Sequence, residues 1–142
     1  MTATAPTTAT IGSVPVFVSD QDRALEFYRD KLGFEVVMDM PMAPGVRWLV
    51  VAPVRGATEF ILFHPNLAGA DGEAEELRRR VGTWTGIVLL TGDCRGHHRE
   101  LVTRGVKFTS EPKQPFWGGW IAEFSDPDGN RFQLVERPAH MR

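Results

Sequence analysis

The side chains in this chain that could do chemistry fall into four groups. Cys94, His97 and His98 stand at i, i+3 and i+4, a spacing that brings them to one side of a helix and offers the thiolate and imidazole donors that zinc takes. His64 ends an apolar run just before Pro65, where an imidazole titrating near neutrality could act as a general base at a pocket mouth. Asp126 and Asp128 form a carboxylate pair in Asp126-Pro127-Asp128-Gly129-Asn130, and Glu59 and Glu123 sit in strand-like segments that could face either way. The fourth group is aromatic: Trp48, Trp84, Phe116, Trp117 and Trp120. The stretch Phe116-Trp117-Gly118-Gly119-Trp120 suits a flat ligand held by stacking or dispersion.

Each group has a plainer use. A helix on the outer side of a sheet keeps its cysteine and histidines away from a pocket. A histidine at a strand end is ordinarily solvated. Carboxylates in a turn of this composition accept hydrogen bonds from their own backbone. Large aromatic rings fill cores. The spacing favours the plainer use for the first three groups and divides the aromatics between core and ligand contact.

The elements that would hold these residues repeat. Residues 1–11 are rich in Thr, Ala and Pro and read as a loose tail. Val14–Val18 reads as a buried strand, Asp20 as an N-cap, and 21–31 as a helix with its apolar residues at helical spacing and Gly33 as its stop. Strands over 34–40 and 47–53 follow, and a hairpin returns through 58–65. Residues 65–83 read as a connection holding a short helix, acids before bases. Then the order starts again: strand 86–90, helix 93–104, strand 106–110, and a final hairpin over 120–136. Gly33 and Gly105, Trp48 and Trp120, Leu62 and Leu134 all lie 72 residues apart. A fixed period of this kind marks a duplicated unit. The chain is therefore expected to be α+β, two tandem βαβββ modules (about 12–64 and 84–137) in one domain over 12–137, with curved mixed sheets around a concave pocket. One helix can cover one face of a four-stranded sheet; the other face is left for a ligand or a second chain, and a homodimer is expected.

Totals narrow the partners. The 142 residues carry a net charge of −2 with no basic block, so nucleic acid is not expected. No apolar run approaches the ~20 residues of a membrane span, and the start lacks the basic and apolar segments of a secretory signal. The single cysteine, Cys94, implies no oxidising compartment. A cytoplasmic protein is expected, with a small organic molecule as its partner.

The stretch VFVSDQDRALEFYRDKLGFEVV resembles the opening of vicinal oxygen chelate proteins, the superfamily of glyoxalase, bleomycin resistance proteins and extradiol dioxygenases. Asp20, Ala24-Leu25, Phe27-Tyr28 and Leu32-Gly33-Phe34 carry the likeness. FSDPDGNRFQLVE resembles that superfamily's last hairpin, and Gly105-Val106-Lys107-Phe108 and Trp117-Gly118 also fit. The resemblance implies four metal ligands, usually His and Glu, one from each of four strands. Their places fall on Ser13, on Ile61, on one of Thr85, Gly86 or Ile87, and on Gln133. None offers the imidazole or carboxylate that a divalent metal wants, and without the metal the superfamily's Lewis-acid chemistry has no source. The expected function is metal-independent binding, with no cofactor, of an apolar or aromatic compound, as in bleomycin resistance proteins. The expected ligand contacts are Ser13, Trp48, Ile61, Trp117, Trp120 and Gln133. The alternative is a lyase, isomerase or dioxygenase of the same superfamily acting on a small carbonyl or aromatic substrate.

Overall fold

The computed structural model of the protein describes residues 5–69 and 72–142. The first unit runs β1 (Ser13–Phe17), α1 (Gln21–Leu25), β2 (Glu35–Ala43), β3 (Val46–Ala52) and β4 (Glu59–Phe63). The second runs β5 (Trp84–Leu90), α3 (Cys94–Thr103), β6 (Lys107–Lys113), β7 (Trp120–Ser125) and β8 (Arg131–Glu136), with the short α2 (Glu73–Arg78) in the connection. The expected tail is irregular and exposed over 5–12, its first four residues lying outside the described ones, as do residues 70 and 71 of the connection.

The helix expected over 21–31 begins as expected. Asp20 caps it by accepting from the Arg23 amide at 3.0 Å. After Leu25 the turns widen to π-helical over Glu26–Lys31, and the Leu32 amide donates to Phe27 O at 3.0 Å, five residues back. The wider turn lets the adjacent Phe27 and Tyr28 both point into the core, at 4% and 0% exposed. Asp93 caps α3 in the same way, accepting from the Gly96 amide at 2.9 Å.

Among the described residues, eight strands form two four-stranded sheets, ordered β1-β4-β3-β2 and β5-β8-β7-β6. The β1–β4 and β5–β8 pairs are parallel and the other neighbours antiparallel. The α+β class and the duplicated βαβββ order are as the sequence led us to expect. The sheets do not close on each other around one pocket. Their helix-bearing faces meet instead. Phe60 of β4 stacks on Phe132 of β8 at 6.1 Å and 13°, Phe132 stacks on Phe124 at 5.4 Å, and Tyr28 meets Phe132 edge-on at 6.1 Å. One continuous core therefore joins both units.

Buried polar groups pin the units at one end of this core. The Tyr28 hydroxyl donates to Asp126 Oδ2 at 2.7 Å across 98 residues of chain. Asp126 also accepts from Asn130 Nδ2 at 2.8 Å and from the amides of Asp128 and Asn130, both at 2.9 Å. Asn130 Nδ2 donates to Phe17 O at 2.9 Å, and Asn130 Oδ1 accepts from the Gly82 amide at 2.8 Å. Outside this, Asp128 accepts from the amide and hydroxyl of Ser19 and pairs with Arg23 at 3.2 Å. The Asp126-Pro127-Asp128 turn is thus a clamp between units as well as a turn.

Burial raises the Asp126 carboxyl from its ordinary value, more strongly than its hydrogen bonds from Asn130 and Tyr28 lower it. Burial raises the Tyr28 phenol too, with the Asp126 charge adding to it. A carboxyl raised in the folded state binds protons more tightly there than in the unfolded chain, so its contribution to stability grows as pH falls through the folded pKa. We expect the difference in unfolding free energy between wild type and Asp126→Asn to shift in favour of wild type as pH is lowered from neutrality toward the ordinary carboxylate range. Urea titrations over that range would read it, and a shift in the other direction would contradict the assignment. Tyr28→Phe, which removes one donor from the buried carboxylate, should cost about 1–3 kcal/mol.

Candidate functional site

Strand alternation divides each sheet into a face on the shared core and an open face turned away from it. On the first sheet, Phe60 and Leu62 point inward at 3% and 0% exposed, so Ile61 and Phe63 point outward. Ile61 lies opposite Val50, and Val50 opposite Met38; Trp48 lies opposite Met40. The Trp48 ring meets Phe63 edge-on at 6.1 Å, Phe63 meets Phe17 at 5.7 Å, and the Arg80 guanidinium lies 5.8 Å over the Phe17 ring. This face is aromatic and methionine-rich, with polar groups at the end where Ser13 pairs with Glu59. Met38 and Met40 remain 44% and 47% exposed, a soft surface that adapts to what lies on it.

The open face of the second sheet has a polar centre. Phe132 and Leu134 point inward, so Gln133 points outward, between Val88 on β5 and Glu123 on β7. The Glu123 carboxylate accepts from Thr109 Oγ1 at 2.6 Å and lies 3.9 Å from Arg131 Nε. Around this centre Trp84, Val88 and Leu90 are 42%, 47% and 57% exposed. Gln133 therefore offers an amide donor and acceptor within a polar centre ringed by apolar side chains.

The four metal-ligand places implied by the resemblance can now be read from strand pairing. Pro15 pairs with Ile61 as Val88 pairs with Gln133, so the counterpart of Ser13 is Gly86, two residues before Val88. Of the three candidates on β5, Ile87 packs on the core and Thr85 donates its hydroxyl to Arg131 O at 2.7 Å. The set is then Ser13, Ile61, Gly86 and Gln133: one hydroxyl, one amide and two places with no donor. These residues do not fit a divalent metal. Among the described residues no cluster of three His, Cys, Asp or Glu side chains stands elsewhere either.

Of the six expected ligand contacts, the structure puts Trp48 and Ile61 together on the first open face, Ser13 at its edge and Gln133 on the second. Because Phe60 and Phe132 stack, their neighbours Ile61 and Gln133 point away from one another within a chain, so one copy does not bring these two expected ligand contacts into a single concave pocket. Trp120 lies on the helix side, where the Arg95 guanidinium sits 4.2 Å over its ring. The cause is a one-residue difference in register. Val50 pairs with Ile61, but Ala122 pairs with Leu134. At a constant offset of 72 the counterpart of Ala122 would be Val50 opposite Leu62; the observed slip of one residue puts Trp48 and Trp120 on opposite faces of their sheets. Trp117 folds back over the turn toward Pro138. A Cβ at Gly119 (φ +65°) would come 2.5 Å from the Trp117 ring and 3.0 Å from Pro138, so the turn requires glycine there. Phe116 stands out in solvent.

The remaining candidates take their plainer uses. His64 Nδ1 accepts from the Asn66 amide at 3.1 Å and caps a single turn over Pro65–Ala68. His98 packs edge-on against Phe108 at 4.4 Å. Cys94 is 0% exposed, its amide donates to Glu136 Oε1 at 2.8 Å, and its thiol donates to Leu134 O at 3.5 Å. Periodicity did not single out the exposed methionines of β2, and Glu123, left open between the two faces of its strand, lies on the open one beside Gln133. The alternation of Met38, Met40 and Met42 was the available signal.

Each of the two βαβββ units thus leaves one helix-free sheet face open. A family model described as Glyoxalase/Bleomycin resistance protein/Dioxygenase superfamily matches residues 10–134, and the chain belongs to that superfamily. It is similar to the Bacillus subtilis (strain 168) protein YetH, 36% identical over 126 residues, covering 89% of this chain and 97% of YetH. A solved member of the superfamily from Sphaerobacter thermophilus DSM 20745 superposes with TM-score 0.79 at 39% identity, over 92% of this chain and 98% of that one. TnmS3, an antibiotic binding protein from Streptomyces sp. CB03234, superposes with TM-score 0.73 at 32% identity, over 94% of this chain and 100% of that one.

Burial first, then the neighbouring Glu136 and Asp93 carboxylates, push the Cys94 thiol up to about 11. We expect native protein at pH 8 to react with a disulfide reagent no faster than it unfolds, and urea-unfolded protein to react at once. Rapid stoichiometric reaction of the native form would show that the thiol is accessible.

Proposed function

We propose that this protein binds a small, largely apolar organic compound without a metal, and that two copies form the complete site by bringing the first open face of one against the second open face of the other. The observation that carries the reading is the set at the ligand places: Ser13, Ile61, Gly86 and Gln133 replace the anionic and imidazole donors that the superfamily's metal chemistry needs. The aromatic and methionine surface around Trp48, Ile61 and Met40 supplies dispersion, and the Gln133 amide suits a carbonyl or hydroxyl on an otherwise apolar ligand. A carboxylate at that position would be costly to bury, and the amide is neutral. The similarity to an antibiotic binding protein supports sequestration as the role.

Exposed apolar residues on both faces support the pairing, since a soluble chain rarely leaves contiguous apolar surface uncovered. Ser13 and Gly86, on the edge strands, would then line the same cleft as Ile61 and Gln133. A second reading, an enzyme of the same superfamily acting by metal-free acid–base chemistry, has one observation in its favour: the Glu123 carboxylate beside Gln133. The two readings separate on the fate of the ligand, which a binding protein returns unchanged and an enzyme converts.

Three measurements test the proposal. Protein dialysed against zinc, nickel and iron and then washed should carry no stoichiometric metal; one tightly held ion per chain would overturn the metal-free reading. Light scattering on a sizing column should give twice the chain mass of 15.9 kDa at micromolar concentration, and a stable mass of 15.9 kDa would remove the shared site. In a screen of aromatic and polyketide-like compounds, binders should perturb tryptophan emission through Trp48, and Gln133→Leu should weaken carbonyl- or hydroxyl-bearing binders by about tenfold, the equivalent of one ~1.4 kcal/mol hydrogen bond, while leaving hydrocarbon binders within twofold. Equal weakening of both kinds would remove Gln133 from the site.

A further inference from the structure

A cavity of about 550 Å³ lies in the wedge between the two units, on the core side of the sheets, with Val88 and Leu90 of β5 shared between it and the second open face. The wedge follows from how the units are joined. At one end β1 and the residues just before β5 are tied together through Asn130, which bonds Phe17 O and the Gly82 amide. At the other end no such tie is made among the described residues, and the cavity opens beside Ile11 and Leu90, which are 72% and 57% exposed. The floor is core: Phe60, Leu101, Phe124 and Leu134, exposed 3%, 1%, 0% and 2%. A concavity that reaches the floor of the core differs in kind from scattered surface apolar groups, and its size lies within the roughly 300–1,000 Å³ of small-molecule pockets.

Two polar side chains line it, Thr58 at the rim and His97 of α3. His97 is held. Its Nδ1 lies 3.1 Å from Thr91 Oγ1, and that oxygen already accepts from the Asp93 amide at 3.3 Å. With the Thr91 hydroxyl donating to Nδ1, the neutral ring carries its proton on Nε2, and the site proposed below requires that tautomer. Nε2 has no hydrogen-bond partner among the described residues. An oriented N–H donor on the wall of an apolar cavity is the arrangement by which such pockets fix one polar atom of a ligand.

We propose that this cleft between the units is a second ligand site, sharing only the β5 edge with the second open face, for a small apolar molecule carrying one oxygen acceptor, with His97 Nε2–H as its donor. A medium-chain carboxylic acid and an aromatic alcohol share that chemistry, and shape decides between them. The site is built by both units of one chain, so its occupancy would hold the wedge at one angle and could be sensed at the open faces through β4 and β8, whose residues alternate between the two sites.

The test is a titration of methyl-labelled full-length protein with decanoic acid in one arm and 2-naphthol in the other, read by NMR. The expected result is saturable shifts at Val14, Leu101 and Leu134 in at least one arm, with the methyls of Met38 and Met40 moving less. Ala57→Trp, which fills the mouth from a loop, should weaken that binding at least tenfold. His97→Phe should weaken it roughly fivefold, as loss of one hydrogen bond does. Shifts confined to Met38 and Met40, binding unaffected by Ala57→Trp, or no shift in either arm up to the solubility limit would each overturn the proposal. So would cleft methyl shifts in ligand-free protein that follow dilution, because a second copy of the chain would then be the occupant.

Discussion

The buried carboxylate of Asp126 is the constraint on which the arrangement of the two units depends. Taking a carboxylate out of water is costly unless donors replace the water. Here three come from its own turn and the fourth, the Tyr28 hydroxyl, comes from the other unit. Because Asn130 also holds Phe17 O and the Gly82 amide, the same turn ties β1 and the start of the second unit to one point. The clamp fixes the direction in which the sheets stack, and the Phe60, Phe132 and Phe124 rings fill the space it defines.

That stacking decides where function can be. With the helix faces committed to a shared core, the strands present Ile61 and Gln133 outward. The superfamily's metal places are thereby on surfaces that a single copy leaves open. Their chemistry has changed together. An aliphatic side chain, a glycine, a hydroxyl and an amide cannot hold a transition metal, but they can floor a cleft for an apolar molecule with one polar atom. Cys94, His97 and His98, the residues whose types most suggest metal chemistry, lie on the other side of the sheet. Cys94 and His98 serve packing and hydrogen bonding around α3, and His97 lines the cleft between the units.

Much of the fold was legible. Period-two runs, the Asp20 and Asp93 caps and the glycine stops are local signals, and the 72-residue period announced the duplication. What was not legible was long-range. Nothing near Asp126 in sequence names Tyr28 as its partner, so the turn could be read only as a turn. The constant offset aligned Trp48 with Trp120, but the β3–β4 and β7–β8 pairings differ by one residue, and one residue reverses which face a side chain takes. The π-helical turn that buries both Phe27 and Tyr28 likewise leaves an ordinary helical pattern in the sequence. For the site, the ligand places on Ser13, Ile61 and Gln133 could be located from motifs. The choice of Gly86 over Thr85 and Ile87 needed the β5–β8 register, and the contribution of Met38 and Met40 needed their exposure.

The central claim is that the open faces bind an organic ligand by apolar contact and one amide, with no metal taking part. The most direct measurement is a calorimetric titration of the best binder from an aromatic and polyketide-like panel, performed once in excess chelator and once in excess zinc. This account gives one affinity, the same within twofold in both buffers, with the negative heat-capacity change that marks burial of apolar surface. An affinity that appears only with zinc, or falls more than tenfold in chelator, would contradict it.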